Sequence, residues 1–235
     1  MTQGEPPHRP AVACQDVTRT YRTAGSRVTA LDGVTLTLPR GQVSVLVGPS
    51  GSGKSTLLRL LACLDRPDGG RIQLDGVDVA TLSRAARVRL RRTRIGFIFQ
   101  SPADNLLGYL TVREHLELGA RLRGLPATDR QVDALLDALG LTGRVHHRPA
   151  QLSGGEQQRV AIAFNALGPP AVLVADEPTG QLDHTTVDSV LDAFAVLAGL
   201  GVAVVAATHD PAVTRRADRV IQIQDGRVAE VARWS

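Results

Sequence analysis

Two apolar runs flank a glycine turn near the start of this chain. Gln42-Val43-Ser44-Val45-Leu46-Val47 leads into Gly48-Pro49-Ser50-Gly51-Ser52-Gly53-Lys54-Ser55, and Ser55-Thr56-Leu57-Leu58-Arg59-Leu60-Leu61 leads out. The first run is short and β-branched, as a buried strand is; the second opens an apolar helix. Strand, glycine loop and helix in that order constrain the chain to an α/β architecture whose loop can cradle phosphate. Glycine lets the backbone curl until successive amide N–H groups and the helix N-terminus converge on phosphate oxygens. Lys54 is then placed to reach terminal phosphates, Ser55 to ligate magnesium, and Thr56 follows in the first helical turn. A chance glycine turn before a lysine is the ordinary alternative, and the flanking elements argue against it.

Composition sharpens this reading. Of 27 basic residues only Lys54 is a lysine; every other one is arginine. A tightly wrapped loop has room for a compact ammonium on a flexible stem, whereas the planar guanidinium is larger and makes different geometric demands.

With 235 residues the chain has room for one sizeable α/β domain, expected over residues 11–235, but not comfortably for two. Pro6, Pro7 and Pro10 cluster without an apolar period, so residues 1–10 are expected to form a disordered N-terminal tail. The most apolar stretch, Ala193 to Ala207, is broken at Gly199-Leu200-Gly201 and falls short of the ~20 residues a membrane helix needs. Met1-Thr2-Gln3-Gly4-Glu5 lacks the basic-then-apolar pattern of a secretion signal, and a cytoplasmic location is expected. Cys14 and Cys63 have no metal-ligand spacing and read as reduced, partly buried thiols. The formal charge of +4 owes much to Arg84, Arg87, Arg89, Arg91, Arg92 and Arg94. That run reads as a solvated helix face; with 3% aromatic residues there is little surface for stacking bases, and no nucleic-acid partner is expected.

Along the chain, Val12 to Arg22 and Val34 to Leu38 read as strands of an N-terminal antiparallel sheet, joined by Arg71 to Leu74 before the Asp75-Gly76 turn. Ser83 to Arg91 reads as a helix and Ile95 to Phe99 as a buried strand ending at Gln100. Helices follow. Thr111 with Glu114, and Thr128 with Gln131, fit capping boxes, and Val132, Leu135, Leu136 and Leu139 recur at helical spacing. Strand and helix then alternate again: Ala171 to Ala175, Thr185 to Leu197 and Val202 to Ala207. Asp225-Gly226 closes a last hairpin.

Ala171-Val172-Leu173-Val174-Ala175-Asp176-Glu177 is an apolar strand ending in two carboxylates, at the sheet edge where open α/β folds bind ligands. Asp176 can hold magnesium through its hydration shell, and Glu177 can orient or deprotonate an attacking water. Taken alone, the dipeptide is more often a surface turn. Together with Leu152-Ser153-Gly154-Gly155-Glu156-Gln157-Gln158-Arg159, which lies between loop and acidic strand, the series resembles the ATP-binding cassette family over nearly the whole chain.

The resemblance implies a P-loop NTPase core with a mainly parallel sheet, an N-terminal antiparallel β subdomain and an inserted helical subdomain over about residues 101–165. It implies ATP and Mg²⁺ as cofactors. Gln100 matches the glutamine linking the magnesium site to the helical subdomain, Asp183 the loop that crosses between two cassettes, and His209 the switch histidine that touches the terminal phosphate. Tyr21 matches the ring stacked on adenine. Ser153, Gly154 and Gly155 match the signature that meets the nucleotide of a second, head-to-tail cassette, expected to be an identical copy. Ala30-Leu31-Asp32-Gly33-Val34, Cys63 to Pro67 and His147 to Gln151 are similar to cassettes that energise macrolide export and lipoprotein release. Gln181, Phe164 and Ser101 to Asn105 depart from that subgroup. The implied role is an ATP-hydrolysing subunit on the inner face of the cell membrane, bound through the region from Gln100 to Val112 to a separate permease. A non-transporting membrane partner that regulates a cell-wall enzyme or signalling kinase fits the same residues.

Overall fold

Five consecutive residues of β3 (Val43–Val47) are buried or half-buried, which marks a strand covered on both faces. In the computed structural model, which describes residues 9–23, 25–182 and 184–233, β3 is interior to a six-stranded sheet. Its order is β10-β9-β3-β8-β7-β6, with β6 (Ile95–Ile98), β7 (Val172–Asp176), β8 (Ala203–Ala207), β9 (Arg219–Gln224) and β10 (Arg227–Arg233). All neighbours run parallel except the closing pair β9 and β10.

The second sheet, of order β2-β1-β4-β5, is antiparallel throughout. It comprises β1 (Val12–Thr23), β2 (Ser26–Leu38), β4 (Gly69–Leu74) and β5 (Val77–Asp78). β2 begins eight residues before the Val34 start expected from sequence. Its first half, Ser26 to Thr29, is exposed and carries no buried alternation, yet it pairs with β1 through Tyr21↔Val28 and Thr20↔Thr29.

Period-two alternation divides the core between the two faces of the parallel sheet. Leu173, Ala175, Val204, Ala206, Val43 and Val45 join one apolar cluster; Val172, Val174, Ala203, Val205 and Leu46 join the other. Packed into the second cluster are α1 (Lys54–Leu61) and the antiparallel sheet. The first holds α3 (Val112–Leu122), α4 (Asp129–Ala138), α5 (Gly154–Ala166) and residues of α6 (His184–Gly199) and α7 (Pro211–Arg215). The remaining helix, α2 (Arg84–Arg94), buries no residue. Both expected capping boxes are present, Thr111 with Glu114 and Thr128 with Gln131. Cys14 and Cys63 are buried, and burial pushes their thiols up to about 12 and about 11, which leaves them unreactive. Among the described residues no helix is long and apolar enough to cross a membrane.

The approach of α3 to α5 depends on one missing side chain. A Cβ on Gly119 would stand 2.2 Å from the backbone oxygen of Phe164. Gly119→Ala gains about 1 kcal/mol of helix propensity but forces two packed helices apart, an overpacking cost of about 3 kcal/mol. We expect chemical denaturation to show a net loss of about 2 kcal/mol.

Candidate functional site

The loop between β3 and α1 forms one wall of a cavity of about 480 Å³. Its lining combines Gly48, Ser50, Gly51, Gly53, Lys54, Ser55 and Thr56 with Gln100, Asp176, Glu177 and His209, and adds Val28 and Ala30 from β2. Gly48 has φ 150°, and a Cβ there would lie 2.1 Å from the backbone oxygen of Ile223 in β9. The loop therefore lies against β9 only because this residue has no side chain. Lys54 folds back over the loop: Nζ donates to the carbonyls of Gly48 at 2.8 Å and Pro49 at 2.9 Å. Pro49 and Ser52 belong to the loop without lining the cavity.

Opposite the loop, β7 delivers the acidic pair. Ser55 Oγ donates to Asp176 Oδ1 at 3.3 Å, across 121 positions of sequence. Burial raises the Asp176 carboxyl above its usual range; the Ser55 hydroxyl opposes that rise and the adjoining Glu177 carboxylate adds to it. Such a carboxylate is short of positive charge. With the Ser55 hydroxyl and the Gln100 amide it forms an all-oxygen donor set, of the kind that suits a hard divalent cation such as Mg²⁺.

Glu177 holds a left-handed backbone, φ 45°, rare for a residue with a side chain. Its N–H donates to Ala207 O at 2.9 Å, tying the turn after β7 to the end of β8. One carboxylate oxygen, Oε1, meets His209 Nδ1 at 3.0 Å; the other, Oε2, is buried with no hydrogen-bond partner among the described residues. The hydrogen bond to Glu177, and then its charge, raise the imidazole of His209 above its ordinary value. The nearby Lys54 ammonium works weakly the other way.

Tyr21 sits beside rather than in this cavity. It is the cross-strand partner of Val28, which lines the wall. Its hydroxyl donates to Asp65 Oδ2 at 3.1 Å, and the Arg19 guanidinium lies 4.8 Å from its ring centroid. Arg19 also grips Asp65 and Asp68 at 3.0 and 2.8 Å.

Ser153, Gly154 and Gly155 lie outside the cavity altogether, at the start of α5. Ser153 is the N-cap: Oγ accepts from Glu156 N at 3.3 Å, while Glu156 Oε2 accepts from Ser153 N at 2.8 Å. Arg144 Nε donates to Glu156 Oε1 at 2.7 Å. Burial resists ionisation of Glu156, but the Ser153 N–H, Arg144 and the Ser153 hydroxyl together hold its carboxyl below the usual range. Asp183 lies outside the described residues.

Sequence reasoning missed the link between these parts. Gln158 of α5 is fully buried; its Nε2 donates to Pro178 O at 3.0 Å, just after the acidic pair. Its Oε1 accepts from Asn105 Nδ2 at 3.2 Å, and Asn105 in turn pairs with the backbone of Phe99 at 2.7 and 3.1 Å. The strand leading to Gln100, the helix of Ser153 and the turn after Glu177 are thus joined by one side-chain chain. Gln158, just before the apolar run Val160 to Ala163 of α5, was the available signal.

The fold and cavity define a P-loop nucleotide triphosphatase, with the start of the Ser153 helix outside the cavity. Residues 31–180, more than half of the chain, match the family model described as ABC transporter. The macrolide export ATP-binding/permease protein MacB of Hyphomonas neptunium is 45% identical over 93% of this chain, which spans about a third of that relative's length, 34%. The lipoprotein-releasing system ATP-binding protein LolD of Nitrobacter hamburgensis is 44% identical over 94% of this chain and 96% of its own. Among solved structures, the dimeric bacterial ABC transporter cassette MJ0796 aligns over 94% of this chain and 98% of its own, at TM-score 0.80 and 35% identity. A post-hydrolysis dimer of that cassette bound to ADP and Pi aligns at TM-score 0.80 and 36% identity. The chain belongs to the ABC transporter family, as an ATP-binding and ATP-hydrolysing cassette.

Proposed function

We propose that this cassette works as one of an identical, head-to-tail pair that closes on Mg-ATP and drives a separate membrane permease from the inner face of the membrane. The observation that carries the reading is the position of Ser153 to Gly155, an N-terminal helix end with amide donors outside the chain's own cavity. A second copy brings that end to the open side of the nucleotide. The dimeric state of the MJ0796 cassette supports pairing of two cassettes.

In this reading Lys54 trades its two carbonyl contacts for terminal phosphate oxygens, and the loop amides from Gly53 to Thr56 take the remaining negative charge. Ser55, Asp176 and Gln100 would hold Mg²⁺, which when bound would supply positive charge against the phosphate. Glu177 accepts the proton of the attacking water at its carboxylate, and His209 leaves it to face the γ-phosphate. Tyr21 offers adenine the ring face not occupied by Arg19, beside Val28 and Ala30. The segment of about residues 101–165 acts as the subdomain that carries the signature.

Exposed apolar side chains supply a permease surface next to Gln100: Phe99 is 49% exposed, Leu107 42% and Tyr109 69%. Likeness to MacB and LolD cassettes favours an export or lipoprotein-extruding system. The test is to purify the chain alone and in membranes with the permease captured by it. We expect slow, ATP-cooperative hydrolysis alone and a rate altered by the permease. Non-cooperative turnover indifferent to any membrane partner rejects the reading.

A further inference from the structure

The signature helix begins with an apparent contradiction. A phosphate is to meet the N-terminus of α5, where unpaired amides and the helix dipole favour negative charge. Yet the third residue of that helix, Glu156, is itself an anion, and its carboxylate already occupies the Ser153 N–H at 2.8 Å. A capping box is served as well by glutamine as by glutamate. Glutamate adds to the cap only a charge, and that charge lies within a few ångströms of the amides left for the phosphate.

Arg144 answers that charge. It stands in the short turn Thr142–Arg144, on a separate segment from α5, and places Nε 2.7 Å from Glu156 Oε1. The oxygen it covers is the one that does not cap Ser153. Among the described residues Arg144 is the one ion-pair partner of Glu156. Glu156 is the one acid in the first turn of α5.

We propose that Arg144 is a positioning residue of the shared nucleotide site: by neutralising Glu156 it keeps the start of the signature helix electropositive, so that Ser153, Gly154 and Gly155 can receive the terminal phosphate bound to the opposite copy. The inference rests on the paired-cassette reading and deepens it. It makes the strength of pairing depend on a side chain that touches neither nucleotide nor signature serine.

The experiment measures the Mg-ATP concentration needed for half-maximal dimerisation, by sedimentation, in a Glu177→Gln parent that holds ATP without splitting it. A fluorescent nucleotide bound by each monomer's own loop verifies that every variant is folded. Arg144→Ala is expected to raise the required concentration roughly tenfold, the scale of one uncompensated charge near a partly solvated phosphate. Arg144→Lys keeps the charge and stays within about threefold of the parent. Combining Arg144→Ala with Glu156→Gln restores pairing to within about twofold, because the amide still caps Ser153 and leaves nothing to neutralise. An anchor that merely held the turn to the helix would not be rescued in this way. If Arg144→Ala pairs like the parent, or the double variant stays as weak as the single, the proposal fails while the paired reading stands. A parent that remains monomeric at saturating Mg-ATP removes both.

Discussion

Glu177→Gln is expected to cut ATP turnover by about a thousandfold while leaving ATP-driven pairing intact. The substitution is nearly isosteric, so the unusual backbone at φ 45° and the N–H bond to Ala207 O are retained. An amide oxygen can still accept from His209, as Glu177 Oε1 does at 3.0 Å. What the amide cannot do is take a proton from water. The buried Oε2, unpartnered among the described residues, is replaced by an NH₂ that donates instead of accepting. Loss of a general base typically costs between a hundredfold and ten thousandfold. Because the phosphate loop and the signature are untouched, the pair should form with Mg-ATP and then persist. Phosphate release and gel filtration of the same preparation read the two halves of this expectation. Near-normal turnover would remove Glu177 from the role of base.

Motif order made much of the cavity lining legible in the sequence, because each part sits at the end of a strongly apolar strand. The loop follows β3 and the acid pair follows β7; parallel pairing with β8 then brings strand ends to one edge of the sheet. Strands buried on both faces leave short, near-continuous apolar runs, and the glycine loop or acid pair that follows marks their ends. The first half of β2 was illegible for the opposite reason: Ser26 to Thr29 is exposed, so no alternation betrays a strand whose pairing is set by β1 alone. Val28 and Ala30 were missed with it, although both line the cavity. Tyr21 was singled out through the family resemblance alone, and its hydrogen bond to Asp65 and its cover by Arg19 depend on residues 44 positions away or on a bulged register. Likewise, nothing local in Arg144 announces its partner; the turn and the helix meet only through tertiary packing.

Lys54→Arg is the sharper test of the loop itself. Charge is preserved, and every other basic residue in the chain is already arginine, so composition predicts tolerance. Geometry predicts the reverse. The ammonium lies within 2.8 and 2.9 Å of two successive carbonyls of the loop that it must also serve. A planar guanidinium in that half-buried position is wider than the point charge it replaces and cannot turn its donors independently. Either it stays outside the loop and gives up the terminal phosphates, or it spreads the loop away from β9, where Gly48 leaves no slack against Ile223 O. Losing one or two hydrogen bonds to a charged phosphate corresponds to about a hundredfold in ATP affinity. Lys54→Ala should fall as far, since both variants lose the same contacts. Titration calorimetry with ATP, alongside thermal melts that verify an intact fold, settles the matter. An arginine variant that binds ATP within about threefold of the parent would mean that charge alone suffices. The lone lysine would then be an accident of composition rather than a requirement of the loop.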